Sequence, residues 1–187
     1  MEEIQAHLRT RLASPEEAET VLSLWLGSAR WLNAKGINQW RPEYFNLKQV
    51  LDFMDDGSDV YLAELQGEIV GTYVLTWSDP VIWQELDTTD AGYIHRFAVE
   101  RNHRARGIGS SLLQSAEAQI YQKGKRYARL DCMADNPRLN QYYRSHGFQW
   151  VRRMELDMNN WSANLYEKRP SMNYDSASEP ARKEVPF

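Results

Sequence analysis

A short glycine turn flanked by arginines is the first feature of the sequence that could do chemistry. It consists of six consecutive residues between an apolar segment and a stretch of helical periodicity: Arg104-Ala105-Arg106-Gly107-Ile108-Gly109. Glycine lets the backbone turn tightly and approach a ligand without a Cβ in the way. The first turn of a helix presents unpaired N–H groups and a positive dipole end, which favour anions. The turn therefore predicts a phosphate or pyrophosphate site.

Two better-known phosphate loops fit this turn poorly. A nucleotide-hydrolase loop ends in Gly-Lys-Ser or Gly-Lys-Thr, whereas this one continues as Gly109-Ser110-Ser111. A dinucleotide fingerprint needs a third glycine at the position of Leu112. A lone Gly-x-Gly is often only a turn, but the preceding strand, the following helix and the arginines favour a ligand site here.

The charge distribution points to the same part of the chain. Residues 101–129 hold seven lysines and arginines against the single acid Glu117, although the whole protein has a net charge of −4. A solvated basic face is the alternative interpretation of this segment. The acidic net charge disfavours nucleic acid as the main partner.

The elements that would position the turn follow from periodicity and from Gly and Pro signals. Helical patterns cover residues 15–35, 47–54, 107–122 and 137–145. Strand patterns cover residues 7–13, 60–65, 69–77, 93–99, 127–132, 148–156 and 161–167. This order predicts an α+β fold, with a mixed central sheet of about seven strands and flanking helices.

Length and composition predict one domain at residues 1–169 and a flexible tail at 170–187, where Ser, Pro and charged residues dominate. No apolar run approaches the ~20 residues that span a bilayer, and the acidic N-terminus has no signal core. We therefore expect a cytoplasmic protein with no membrane partner. The single cysteine, Cys132, allows no intrachain disulfide, and we interpret it as a packing residue.

Two segments together carry a family resemblance. The stretch 93–109 resembles the acetyl-CoA motif of the GNAT superfamily of N-acetyltransferases, in which Arg/Gln-x-x-Gly-x-Gly/Ala follows an apolar strand. Further on, Asn136 is followed seven residues later by Tyr143 and then by Gly147-Phe148, as in the second motif of the family. The order of elements is similar to the family fold from residue 7 to about 167.

The resemblance implies acetyl-CoA as the acetyl donor, with no metal. In the family, the fourth and fifth strands splay apart, often with a bulge in the fourth. The diphosphate would lie on the amides of residues 104–110, the pantetheine arm on the fourth strand, and a backbone N–H there would hold the acetyl carbonyl. The implied donor-binding residues are Phe97, Ala98, Val99, Arg104, Ala105, Arg106, Gly107, Ile108, Gly109, Ser110, Asn136, Arg138 and Tyr143.

The resemblance also implies that Tyr143 protonates the departing thiolate, although a packed aromatic is the alternative. The general base is open between His95, which titrates near neutrality, and an acid acting through water. The other candidates are Glu100, Asp79, Glu85, Asp87 and Asp90. Strand alternation places His95 on one face with Tyr93 and Phe97.

For the acceptor, the segment 79–90 combines four acids, no base and Trp83. Acids near tryptophan suit a cationic amine, although a solvated loop and core tryptophans would look the same. The candidate substrate-binding residues are Trp31, Gln39, Trp40, Trp77 and Trp83. We expect acetyl transfer to a primary amine of a small molecule, by direct attack in a ternary complex. A protein N-terminus or lysine, a non-catalytic acyl-CoA-binding module, and a homodimer stay open.

Overall fold

The computed structural model describes residues 8–103, 106–156 and 161–171. The tail expected at 170–187 lies outside the described residues, apart from its first two positions. Within the described ranges the helices are α1 (Ala18–Ala34), α2 (Leu47–Asp55), α3 (Ile108–Gln122) and α4 (Pro137–Ser145). The strands are β1 (Leu8–Leu12), β2 (Asp59–Leu65), β3 (Glu68–Thr76), β4 (Ala91–Val99), β5 (Tyr127–Met133), β6 (Gln149–Leu156) and β7 (Trp161–Lys168).

Local signals set where several of these elements begin and end. Asn46 caps α2 by accepting a hydrogen bond from the Gln49 amide, and the Gln49 side chain accepts from the Asn46 amide in return. The β2–β3 hairpin turns at Gln66 and Gly67, which have φ of 53° and 86°. Positive φ at both central residues is the geometry of a type I′ turn, whose twist matches that of the strands.

The seven strands form one sheet in the order β1-β2-β3-β4-β5-β7-β6. Every neighbouring pair is antiparallel except β4 and β5, which are parallel. Their pairing ends at Ile94 and Leu130, although both strands continue. The α+β class, the mixed sheet and the divergence of the fourth and fifth strands are therefore confirmed. We call the segments that no longer pair with each other, residues 95–99 of β4 and 131–133 of β5, the strand gap.

A β-bulge in β4 lies at the start of the gap. Thr72 pairs with Ala98 and Val74 pairs with His95, so three steps along β4 match two along β3. Arg96 takes up the extra residue with φ of 50°. The predicted alternation is wrong beyond this point, since Phe97 packs against the core cluster that contains Ile94, on the face opposite His95.

Helices cover both faces of the sheet. On one face, α3 packs its apolar stripe against alternate residues of the central strands and against Tyr143 and Phe148. On the other face, α1 and α2 cover residues such as Leu62 and Val74. No helix in the described ranges has the length and apolar character that crossing a membrane requires.

A buried arginine ties the loop before β4 to the far side of the sheet. Arg129, 7% exposed, donates to the carboxylate of Glu167, to the Leu86 carbonyl and to the Tyr93 hydroxyl. Its guanidinium also stacks on Trp83, with its carbon 4.6 Å from the ring centroid. The acidic segment 79–90 is therefore pinned to β5 and β7.

Replacing Arg129 by alanine should strongly destabilise the fold. The change leaves the Glu167 carboxylate and the carbonyl of Leu86 without their donor, and loss of one partner of a buried pair costs about 3 kcal/mol or more. The matched control is Arg126→Ala, because Arg126 makes an exposed pair with Asp90 at 3.6 Å that should contribute less than about 1 kcal/mol. Urea unfolding measures both, and equal losses would contradict the assignment.

Candidate active site

A cavity of about 780 Å³ opens at the strand gap. Its wall includes both diverging strands, the end of β3, the loop before α2 and the start of β7. Trp40, Phe45, Trp77 and Trp161 contribute aromatic surface. Because the two strands separate here, their side chains and backbone groups face this space instead of pairing with each other.

Three ionisable side chains meet in this cavity, and we call them the acid–histidine cluster. Asp79, His95 and Asp131 each offer a ligand atom within 4.8 Å of the others. The His95 Nε2 lies 3.6 Å from the Asp79 Oδ2, and Asp79 is only 8% exposed. The cluster combines three chain segments that are distant in sequence.

Burial shifts the pKa of each member toward its neutral form. It lowers the pKa of His95 to about 4, helped by the nearby charge of Arg96. It raises the pKa of Asp131 to about 6, helped by the negative charge of Asp79, and it raises the pKa of Asp79 as well. Near pH 7, His95 is therefore uncharged, while Asp131 is ionised but close to its midpoint.

Tyr143 lies in the wall of the same cavity. It projects from α4 and packs against the rings of Tyr142, Phe148 and Tyr166. Burial raises the pKa of its hydroxyl well above the usual value, so it stays protonated across the neutral range. It is thus both a packed aromatic and a proton-bearing group on the cavity.

Cys132 shares this wall and belongs to the core cluster, as expected of a packing residue. Burial raises the pKa of its thiol to about 12. The thiolate, which is the nucleophilic form, is therefore scarce at neutral pH.

The glycine turn has the predicted geometry where the structure describes it. Gly107 caps α3 with φ of 83°, a conformation that favours glycine. The amides of the first residues of α3 have no acceptor within the helix. Arg106 is exposed and donates to the His103 Nδ1 at 3.2 Å. Arg104 and Ala105 lie outside the described residues.

Contacts between the start of α3 and the end of α4 hold the glycine turn in place. The His146 Nδ1 lies 2.8 Å from the Tyr142 carbonyl, which can only accept, so Nδ1 carries the hydrogen. In the neutral ring, the Nε2 then accepts from the Ser110 hydroxyl at 2.8 Å. A Cβ on Gly109 would approach the Tyr142 Oη to 2.9 Å, so a larger residue here would require Tyr142 to shift.

Asn136 serves as the N-cap of α4 and reaches the loop after α1. Its side-chain oxygen accepts from the Leu139 amide, and its Nδ2 donates to the Gln39 Oε1 at 3.2 Å. Gln39 in turn lines the cavity. Arg138 is exposed in the first turn of α4. Asn136 thus joins α4 to the predicted acceptor side of the cavity.

A residue that sequence reasoning missed holds α4 in place. Asn140 Oδ1 accepts from Asn164 Nδ2 and Tyr166 Oη, both at 2.7 Å, while its Nδ2 donates to the carbonyls of Met133 and Asn136. This buried amide orients the helix that carries Tyr143. Nothing in its local sequence distinguishes it from a surface asparagine.

The remaining acceptor candidates divide into two groups. Gln39, Trp40 and Trp77 line the cavity. Trp31 instead lies beside Arg101, whose guanidinium carbon is 4.5 Å from its ring centroid. Trp83 is 1% exposed and packs with Tyr93 in the core, so its indole is not available to a ligand in this cavity.

Among the candidate bases, only Asp79 and His95 line the cavity. Glu85 pairs with Arg152 and Asp90 with Arg126. Asp87 accepts from the Ser78 hydroxyl, and Glu100 accepts from the Asn102 amide. Sequence analysis missed Asp131; the signal that could have identified it is a carboxylate within an otherwise buried strand.

Residues 25–148 match the family model described as the Acetyltransferase (GNAT) family, and the chain belongs to that family. A curated relative is YesJ of Bacillus subtilis, an uncharacterized N-acetyltransferase that is 29% identical over 143 residues, covering 73% of this chain and 78% of YesJ.

Solved structures agree with this family. A GNAT acetyltransferase from Listeria monocytogenes is 26% identical and covers 87% of this chain and 94% of its own, with a TM-score of 0.71. RimL, a ribosomal α-N-protein acetyltransferase in complex with coenzyme A, shares the fold with a TM-score of 0.67 at 19% identity, over 91% of this chain and 98% of its own.

The residues present fit the acetyl-CoA that the family uses. Gly107 and the first amides of α3 offer donors to a diphosphate. Beyond Ile94, the edge of β4 that faces β5 has no strand partner, and it offers backbone groups to an extended pantetheine arm. The end of β4 lies next to the turn, since a Cβ on Gly109 would lie 3.8 Å from the Val99 Cγ2.

Proposed function

We propose that this protein transfers an acetyl group from acetyl-CoA to a primary amine of a small molecule, by direct attack in a ternary complex. The observation that carries the proposal is the meeting of the acid–histidine cluster and Tyr143 in one cavity at the strand gap. When bound, acetyl-CoA supplies an activated acetyl thioester, so the protein needs no covalent intermediate.

The amine site in this proposal is the acid–histidine cluster. A cationic amine enters as its ammonium form, and the carboxylates of Asp79 and Asp131 attract it while the aromatic wall excludes water. Asp131 then accepts the proton, because a base is most effective when its pKa lies near the working pH. Its pKa of about 6 suits this role better than the value of about 4 for His95.

His95 and Asp79 complete the amine site. Neutral His95 lies beside the amine, with its Nε2 3.6 Å from the Asp79 carboxylate. On the opposite side of the reaction, Tyr143 Oη holds the proton that suits a thiolate leaving group. In this proposal, acetyl-CoA is bound by the edge of β4 at Phe97 to Val99 and by the glycine turn, which contributes Gly107, Ile108, Gly109 and Ser110.

Coenzyme A release in the presence of amines tests this proposal. A panel of small primary amines should give release above the background with water, and a matched panel of peptides with free N-termini or lysines should give less. Greater release with the peptides would favour a protein acceptor. Binding of acetyl-CoA without release over both panels would favour a non-catalytic module.

Changing Tyr143 to phenylalanine should lower kcat about 10- to 100-fold while the Kd for acetyl-CoA stays within about twofold. The change removes only the proton-bearing hydroxyl and keeps the ring that packs against Tyr142 and Phe148. Tyr61→Phe is a matched control, because the Tyr61 hydroxyl donates to Gln119 and Tyr61 does not line the cavity. An unchanged kcat in Tyr143→Phe would overturn the assignment of the acid.

A further inference from the structure

Arg96 is a partly buried cation that faces the cavity without an acceptor. Its guanidinium carbon lies 5.1 Å from the ring centroid of Phe45, 5.7 Å from that of Trp25 and 6.0 Å from that of Phe53. Among the described residues, its guanidinium forms no hydrogen bond and no ion pair, and its buried Nε has no partner.

The contrast with Arg129 shows what this residue lacks. Arg129 is also a buried arginine, but its guanidinium donates hydrogen bonds to the Glu167 carboxylate, the Leu86 carbonyl and the Tyr93 hydroxyl. An enclosed charge without a partner is costly, so proteins usually pair it. Arg96 instead rests on aromatic rings that fix the plane of its guanidinium and leave its hydrogen-bonding edge unused.

The bulge explains why this arginine points to the cavity. Arg96 is the extra residue of β4 and has φ of 50°, a conformation that a non-glycine residue adopts at some cost. Its neighbour His95 belongs to the acid–histidine cluster, and the charge of Asp131 acts on the guanidinium across the same space. Opposite charges therefore stand close together on one wall.

We propose, resting on the proposed function, that the acceptor is an amino acid whose carboxylate pairs with Arg96 while its ammonium group lies at Asp79 and Asp131. A guanidinium binds a carboxylate through two parallel hydrogen bonds, which fixes orientation as well as affinity. A singly charged carboxylate fits better than a phosphate, because the two aspartates repel additional negative charge. The amine would thereby be held beside its proton acceptor.

The test compares amino acids with their primary amides, which keep the amine and side chain but lose the negative charge. Coenzyme A release is measured with the wild-type protein, first on a panel of free L-amino acids and then on the amide of each active one. We expect kcat/KM for the free acid to exceed that for its amide about tenfold or more. An amide that matches or exceeds its acid would overturn the inference while leaving acetyl transfer intact.

Arg96→Gln provides the second arm of the test. It should raise the KM of the free acid and reduce the acid-to-amide preference to about one, with little effect on the amide. Arg41→Gln is the matched control, since Arg41 also borders the cavity but already donates to Asn38; it should keep the preference. A preference that survives in Arg96→Gln would contradict the proposal.

The wild-type comparison requires no mutation and decides the question even if Arg96→Gln does not fold. Failure of the proposed function looks different. If the proposed function is wrong, neither amino acids, their amides nor simple amines release coenzyme A above background, whether or not acetyl-CoA binds. The inference then fails together with the function.

Discussion

Replacing Gly107 by glutamate is expected to weaken acetyl-CoA binding by at least about 100-fold. Gly107 has φ of 83°, and an L-residue in this conformation costs about 1–2 kcal/mol. The new carboxylate would also stand at the N-terminus of α3, where it would occupy the anion site and repel the diphosphate. Isothermal titration calorimetry of the variant with acetyl-CoA measures the increase in Kd.

Gly124→Glu is the matched control for this experiment. Gly124 follows the other end of the same helix and has φ of 73°, with open space where a Cβ would lie. The control therefore introduces the same strain and the same charge, but far from the proposed donor site. Unchanged affinity in Gly107→Glu, or equal losses in both variants, would remove the glycine turn from the donor site.

Replacing Asp131 by asparagine is expected to lower kcat/KM about 100-fold or more, the usual range for loss of a general base. The wild-type protein should show an acidic limb with an apparent pKa near 6. Below that pH the carboxylate is protonated and cannot accept a proton, so the rate should fall about tenfold per pH unit. In the variant this limb should be absent.

The same substitution should not weaken the fold at pH 7. The folded pKa of Asp131 is raised above its ordinary value of 3.8, so the protonated form is the one that stabilises the native state. That stabilisation is present at low pH and is lost as the pH rises through about 6. Asparagine is neutral throughout, so the melting temperature of the variant at pH 7 should equal or exceed that of the wild type.

Asp135→Asn is the control for loss of one negative charge near the site. Asp135 lies two residues beyond β5, and its side chain is 78% exposed, 4.0 Å from Arg153. It should keep both the rate and the limb near pH 6. Persistence of that limb in Asp131→Asn would assign it to another group and contradict the role of Asp131.

Local sequence was enough to predict most elements and the glycine turn. The capping residues, the Gln66-Gly67 turn and the apolar stripe of α3 each act within a few residues of their own position, so a single sequence carries their signal. Helix α4, Asn136 and Tyr143 were found by a motif of fixed spacing. These features needed no knowledge of which strands pair.

The site depended on long-range pairing and could be predicted only in part. The bulge at Arg96 arises from the register between β3 and β4, and alternation alone therefore placed Phe97 on the wrong face. Asp131 meets His95 only because β4 and β5 are parallel neighbours that diverge after Ile94. Trp83 looked like a binding residue because local composition does not reveal that Arg129 holds it in the core.

The most direct test of the central claim is a crystal structure of the protein with coenzyme A. We expect the diphosphate on the amides of residues 107–110, the pantetheine arm along β4 at Phe97 to Val99, and the thiol in the cavity between Tyr143 and the acid–histidine cluster. Coenzyme A bound away from the glycine turn, or with its thiol outside the strand gap, would contradict the account.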